Sequence, residues 1–266
     1  MKIIKNIIFS GGAFKGWAYI GTIKALNENI PFKNIEQIIG VSVGSIFGLV
    51  YLLQLDPGFL INFIINLDFK SIMDIDLDSI IVNQSMLEGK EFKKIVLELC
   101  NLNENITFQE LFLQTSVLFT TCAYNVDKIQ LEYFNKNLTP DVKVIDALIA
   151  SCALPLLFPA YKIGNDFYYD GGICNNCPCN LVNPKTSIAF DLCPRIVKSE
   201  YNILNLISGL TNLINNHFSN NFNFKFNIVD EKFDNQVFNI NQSKDEIFNI
   251  YMNGYNNTNK IFNFIF

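Results

Sequence analysis

Gly40-Val41-Ser42-Val43-Gly44 sets a serine between two glycines, with a short apolar run before it and a longer one after. Where a strand feeds such a turn and a helix leaves it, the turn is a strained elbow that pushes the hydroxyl out above the sheet. The glycines are needed because neighbouring chain passes too close for a Cβ. A helix starting at Ser45 adds free N–H groups and a positive dipole end, both favouring an ionised oxygen. A small-residue turn with an incidental serine has the same letters, so this segment alone does not decide.

A serine hydroxyl is a weak nucleophile and needs a base. The chain has one histidine, His217. The order Ser42, Asp170, His217 formally suits an α/β-hydrolase triad, but that fold sets several strands before its nucleophile. Here only one precedes the strand leading into Ser42, so His217 is expected on a surface or in a loop. Asp170-Gly171-Gly172 supplies the better base. A carboxylate at a strand end followed by two glycines can approach another loop closely, and burial beside an apolar pocket raises its pKa usefully. A turn aspartate followed by glycines for φ > 0 is the competing reading.

Gly11-Gly12-Ala13-Phe14-Lys15-Gly16 suits either a phosphate cradle or an oxyanion hole. It lacks the spacing and the Lys-Ser/Thr ending of a Walker A loop, and no acidic residue closes the second strand to suit a dinucleotide ribose. The backbone N–H groups of Gly11, Gly12 and Ala13, with that of Val43, are the expected oxyanion donors. Losing one such donor costs about 3–4 kcal/mol of transition-state stabilisation.

The elements that must position these residues follow from periodicity and punctuation. Ile3–Phe9 is a predicted strand, Trp17–Glu28 a helix, Glu36–Ile39 a strand and Ser45–Leu55 a helix halted by Asp56-Pro57-Gly58. Two β-α units with so little loop imply parallel strands under right-handed crossovers. Phe59–Leu113 is mainly helical and lid-like, with helix starts at Asp56-Pro57 and at a capping box, Thr107 to Glu110. Ser116–Ala123 is a predicted strand, Pro140–Ser151 a helix, and Phe167–Tyr169 and Ser187–Asp191 strands. Beyond Arg195 the text is rich in Asn and Phe.

With 266 residues, the chain fits one catalytic α/β unit, and 50% hydrophobic residues supply a large core. A net charge of -5 with a single arginine, Arg195, argues against a nucleic-acid partner, because no basic stripe displaces counterions from phosphates. The N-terminal run is too short and interrupted for a signal peptide. Ile46–Leu55 and Ala147–Leu157 stop well short of the roughly 18–20 residues that span a bilayer. The expectation is a cytoplasmic or membrane-peripheral protein. Seven cysteines, an odd number, then read as free thiols.

Taken together, the three segments resemble the patatin-like phospholipases, over about Ile4 to Leu192. Phe9 to Gly21 matches the family's glycine-rich oxyanion loop, with Gly11, Gly12, Lys15 and Gly16 as motif positions. Gly40, Ser42 and Gly44 match its nucleophile elbow, and Asp170, Gly171 and Gly172, followed by Asn175-Asn176 and Pro178, match its Asp-Gly-Gly/Ala. Thr139-Pro-Asp-Val, Ala150-Ser-Cys-Ala-Leu-Pro155 and Phe158-Pro159 read like the stretch leading into the family's aspartate. Ala13 departs from the pattern, which usually has a third glycine there. The resemblance implies a three-layer α/β/α fold with a mainly parallel central sheet. It implies a catalytic Ser42–Asp170 dyad without histidine, an acyl-enzyme, no metal and no cofactor. The implied partner is a lipid substrate, with transient contact at a membrane surface. Residues 4–193 are expected to form the catalytic domain and 194–266 a helical extension packing on it.

Two other clusters compete for attention. Asp74-Ile-Asp-Leu-Asp78 imitates the start of an EF-hand, but Ser79 stands where Gly is required and Ser85 where Glu closes the loop. Cys174, Cys177 and Cys179, with Cys193 downstream, have the types to bind zinc or cycle a disulfide. Their place just after Asp170 favours packing or free thiols. A lipid acyl hydrolase leads the functional readings; a catalytically silent membrane-binding or structural module and an acyltransferase using the same dyad stand beside it.

Overall fold

The computed structural model describes residues 3–68, 85, 87–192, 222–236, 239 and 241–266. His217, Arg195, Cys193 and the Asp74–Asp78 run lie outside these residues.

The strands are β1 (Asn6–Phe9), β2 (Gln37–Gly40), β3 (Leu118–Asn125), β4 (Gln130–Phe134), β5 (Tyr161–Ile163), β6 (Asp166–Asp170), β7 (Ser187–Asp191) and β8 (Lys225–Asn227). They form one sheet in the order β5-β6-β3-β2-β1-β7-β8, with β4 pairing β3 as well. β3, β2, β1, β7 and β8 run parallel, whereas β4 and β6 lie antiparallel to β3 and β5 antiparallel to β6. The central strands are apolar at nearly every position because both faces are covered. Ile7, Ile38, Ile188 and Phe190 join the large core on one face, and Ile8, Ile39 and Ala189 join a smaller one with Cys179 and Phe224 on the other. The architecture is α/β with a mixed, mainly parallel sheet and helical segments on both sides.

The helices are α1 (Ala18–Asn29), α2 (Val43–Leu52), α3 (Pro57–Asn66), α4 (Lys90–Cys100), α5 (Phe108–Thr115), α6 (Val144–Cys152) and α7 (Lys244–Ile265). Their starts follow the local chemistry. Asp56 accepts from the Phe59 N–H at 2.7 Å with Pro57 in the first turn, and Thr107 with Glu110 closes the expected capping box. Ser243 and Glu246 close a second box at the start of α7. α7 lies along α1: a Cβ on Gly21 would strike the Tyr251 carbonyl, and one on Gly254 the Ala18 carbonyl. In this contact Thr258 Oγ1 donates to Thr22 Oγ1 at 3.0 Å, fully buried.

Several bounds differ from the sequence expectation. A 3-10 turn at Ala13–Trp17 precedes α1, and α2 begins at Val43 rather than Ser45 because Ser42 itself makes the sharp turn. The helix expected over Pro140–Ser151 begins at Val144. β4, β5 and β8 have no counterpart among the predicted strands. β3 and β4 form a hairpin across Val126–Ile129, a turn with no glycine, in which Ile129 takes φ 54° and Asn125 Oδ1 accepts the Lys128 N–H.

Candidate active site

The register sets the site. Phe9 pairs with Gly40 on one side and Phe190 on the other, so the carboxyl ends of β1, β2 and β7 finish level. The glycine loop, the serine turn and Leu192 all leave the sheet at that edge. β1 lies between β2 and β7, so the chain runs off to both sides of it there, which is where open α/β sheets hold their ligands.

Ser42 is half-buried and has φ 53°, ψ −132°, a conformation that costs an L-residue on the order of 1–3 kcal/mol. The surroundings hold it there. Val41 N–H donates to the Phe9 carbonyl at 3.1 Å, and Ser42 N–H donates to the buried Ser151 Oγ at 2.9 Å. A Cβ on Gly44 would collide with the carbonyl oxygens of Phe9 and Ser10, and one on Gly40 with the Gly44 carbonyl. The sequence spacing is thus explained by backbone packed against backbone.

Asp170 ends β6. Its main chain pairs with Ala123 in β3, and its N–H donates to the Ala153 carbonyl at 2.9 Å. The side chain is 4% exposed, accepts from Gly172 N–H at 2.7 Å and lies close enough to the Ser42 hydroxyl for that group to favour the carboxylate. Burial pushes its pKa up to about 6, against these two groups that favour the carboxylate. A carboxyl group near that value is largely ionised at neutral pH and takes up a proton more readily than an ordinary carboxylate.

Cys152, at the end of α6, lies within hydrogen-bond reach of Ser42 and Ser45. Burial, aided by the Asp170 charge, pushes its thiol well above the ordinary range, so it stays protonated. The sequence places Ser151 and Cys152 in the Ala150–Pro155 stretch but gives them no role, and a buried hydroxyl accepting one backbone N–H leaves no periodic signal.

The glycine loop lies beside the serine. Gly11 N–H donates to the Asn176 carbonyl at 3.3 Å, so among the four expected donors Gly12, Ala13 and Val43 are left. Neither the Gly12 nor the Ala13 N–H has an acceptor among the described residues, and Val43 opens α2, where the first N–H groups have no intrahelical partner. Ala13 takes φ 46°, the left-handed region that favours glycine. Lys15 and Gly16 are buried behind the loop, Gly16 against the Val43 side chain. Ser10 pins the loop's start: its hydroxyl donates to the Gly11 carbonyl at 3.1 Å and accepts from Leu192 N–H at 2.9 Å.

Gly171 and Gly172 form a short 3-10 turn after Asp170. Cys174, Cys177 and Cys179 are free thiols, with the last two sulfurs 3.6 Å apart. Among the described residues no group of three or more His, Cys, Asp or Glu side chains is placed to hold a metal ion. Among them, too, no helix is long and apolar enough to cross a membrane.

The family profile described as "Patatin-like phospholipase" matches residues 7–182, from β1 past the Asp170 turn. The chain belongs to the patatin-like phospholipases. The matched stretch includes the three segments that meet at this sheet edge. Relatives include "Probable lipid hydrolase 463L" of Invertebrate iridescent virus 6, 30% identical over 68% of this chain and 63% of that one. "Uncharacterized protein R571" of Acanthamoeba polyphaga mimivirus is 29% identical over 67% of this chain and 61% of its own. The chain thus spans less than two thirds of these viral relatives. Among solved structures, VipD of Legionella pneumophila superposes with a TM-score of 0.69 over 98% of this chain and 67% of that one, at 15% identity. The type III effector ExoU superposes with a TM-score of 0.56 over 98% of this chain and 53% of its own, at 14% identity. At such identities these two speak to the fold alone.

Proposed function

We propose that the protein is a lipid acyl hydrolase that cleaves carboxylic esters of phospholipids or lysophospholipids through Ser42 and Asp170. The observation that carries this reading is a serine in a strained elbow beside a buried carboxylate of raised pKa, next to loop amides that have no acceptor among the described residues. Family membership and the name of the iridescent-virus relative support lipid as the substrate class.

Ser42 Oγ attacks the ester carbonyl as Asp170 takes its proton. The tetrahedral oxyanion is held by the N–H groups of Gly12, Ala13 and Val43, in a site where such donors act without reorganising. Asp170 returns the proton to the leaving lysolipid or glycerophospho-alcohol, and Ser42 keeps the acyl group as an ester. Water, deprotonated by Asp170, then releases the fatty acid and restores Ser42. No step draws on a cofactor. The apolar turn from Ala153 to Phe158 starts at the residue that accepts the Asp170 N–H and carries exposed Leu156, which suits it to meet acyl chains at a membrane surface. Residues 4–193 carry the catalytic domain in this reading, and α7 of the C-terminal extension packs on it along α1.

A panel of phospholipids, lysophospholipids and neutral glycerides followed by mass spectrometry tests the proposal. Free fatty acid is expected from the first two classes with wild-type protein and at least ~10³-fold more slowly with Ser42→Ala. Full hydrolysis by Ser42→Ala would sink it.

A further inference from the structure

The amide expected to hold the oxyanion belongs to a peptide unit, and the other edge of that unit is gripped. The Gly11 carbonyl and the Gly12 N–H lie on opposite edges of one planar trans peptide. Whatever fixes the carbonyl therefore aims the N–H. Asn176 Nδ2 donates to the Gly11 carbonyl at 3.1 Å, and the Asn176 carbonyl accepts the Gly11 N–H at 3.3 Å. Ser10 Oγ is the second donor to the same carbonyl, at 3.1 Å.

Asn176 also touches the other two parts of the site. Its Oδ1 lies so near Gly11 and Gly172 that a Cβ on either would meet it, the Gly172 one at 2.7 Å. A Cβ on Gly11 would also come to 3.0 Å from Ser42 Cβ, and one on Gly172 to 3.0 Å from Asp170 Oδ1. One side chain is wedged where the loop, the nucleophile and the aspartate turn converge. The chemistry selects the residue type: an aspartate of the same shape has no N–H to donate and would set a negative charge beside a developing oxyanion.

We propose that Asn176 is a positioning residue that locks the Gly11–Gly12 peptide with its N–H turned toward the oxyanion. The proposal rests on the Ser42–Asp170 reading above. Asn176 acts through the loop and does not touch the substrate. Without its amide donor, the peptide keeps the Ser10 hydroxyl on that edge and rotates about it, taking the Gly12 donor off its target.

The test compares wild type, Asn176→Ala and the isosteric Asn176→Asp, with Ser42→Ala as control. Three quantities are read: kcat and KM on a short-chain p-nitrophenyl ester, and affinity for an alkyl trifluoromethyl ketone, which becomes an oxyanion adduct on a nucleophilic serine. Both Asn176 variants are expected to lose ~10–100-fold in kcat, since small misplacements of a catalytic group have that effect. Ketone affinity should fall by a similar factor while KM changes less than about threefold. Wild-type kcat or ketone affinity in Asn176→Asp overturns the positioning role, as does a loss confined to KM. If Asn176→Ala fails to fold, the Asp variant decides. Hydrolysis that survives Ser42→Ala overturns the dyad reading and this inference with it. A dead Ser42→Ala beside unimpaired Asn176 variants removes this inference alone.

Discussion

The sheet edge that carries Ser42 and Asp170 and the α1–α7 helix pair are built on opposite terms. At the edge, Ser42 takes φ 53°, Ala13 takes φ 46°, and Asp170 carries a buried carboxyl with its pKa raised to about 6. Each is an unfavourable local state that the surrounding packing enforces. At the helix pair, Gly21 and Gly254 let backbone rest on backbone, a buried Thr258–Thr22 hydrogen bond closes the seam, and Trp17 Nε1 donates to Gln242 Oε1 at 2.8 Å. None of the α1 or α7 residues has positive φ. The contrast teaches where stability and activity conflict: easing the edge should stabilise the protein, whereas disturbing the helix pair should only cost stability.

Asp170→Asn breaks the comparison most sharply. Activity should fall by ~10³-fold or more, because an amide cannot take the Ser42 proton. In wild type, kcat/KM should rise with pH and level off above a midpoint near 6, where Asp170 loses its proton. Stability runs the other way. The folded pKa of about 6 lies above the unfolded value of about 3.9, so the native state binds more protons between them and stability falls as pH rises across that window. The Asp170→Asn variant should lack this slope, and chemical denaturation at pH 8 should find it more stable than wild type, by on the order of 2–3 kcal/mol. A less stable variant at pH 8 would refute the account of the edge.

At the helix pair, Gly254→Val should lower stability by about 2 kcal/mol or more, a Tm drop of roughly 4–8 °C, since the added methyls meet main chain that cannot yield. The rate per folded molecule should stay near wild type well below that Tm. The smallest effect belongs to Ala13→Gly. It removes a left-handed alanine and should raise stability by roughly 0.5–1 kcal/mol without loss of kcat, read by thermal melting and ester turnover. A loss of stability there would mean that the methyl packs usefully.

How far the sequence carries depends on whether a signal is local. The Ser42 turn is legible because its glycines are a consequence of close backbone contact within one strand-turn-helix unit. The Thr107–Glu110 capping box is legible for the same reason. Asp170 is legible as a candidate, but its burial and its contact with Ser42 come from β6 pairing antiparallel with β3, which no local pattern announces. β4 escapes because it is partly exposed and follows a turn with no glycine, β5 because only three partly exposed residues precede its Gly164-Asn165 turn, and β8 because its three residues sit in Asn/Phe-rich text. Ser151 escapes, and the Asn176 of the motif stays without a role, because their contacts with the serine turn and the glycine loop are long-range hydrogen bonds to backbone that no local pattern announces.

Covalent trapping of the serine tests the central claim most directly. Wild-type protein treated with a fluorophosphonate, digested and mapped by mass spectrometry should carry a single adduct on Ser42. Asp170→Asn should acquire it far more slowly, by ~10²-fold or more, because the base that activates the hydroxyl is gone. An adduct on another residue, no adduct on Ser42, or labelling of Asp170→Asn at the wild-type rate would contradict the Ser42–Asp170 account.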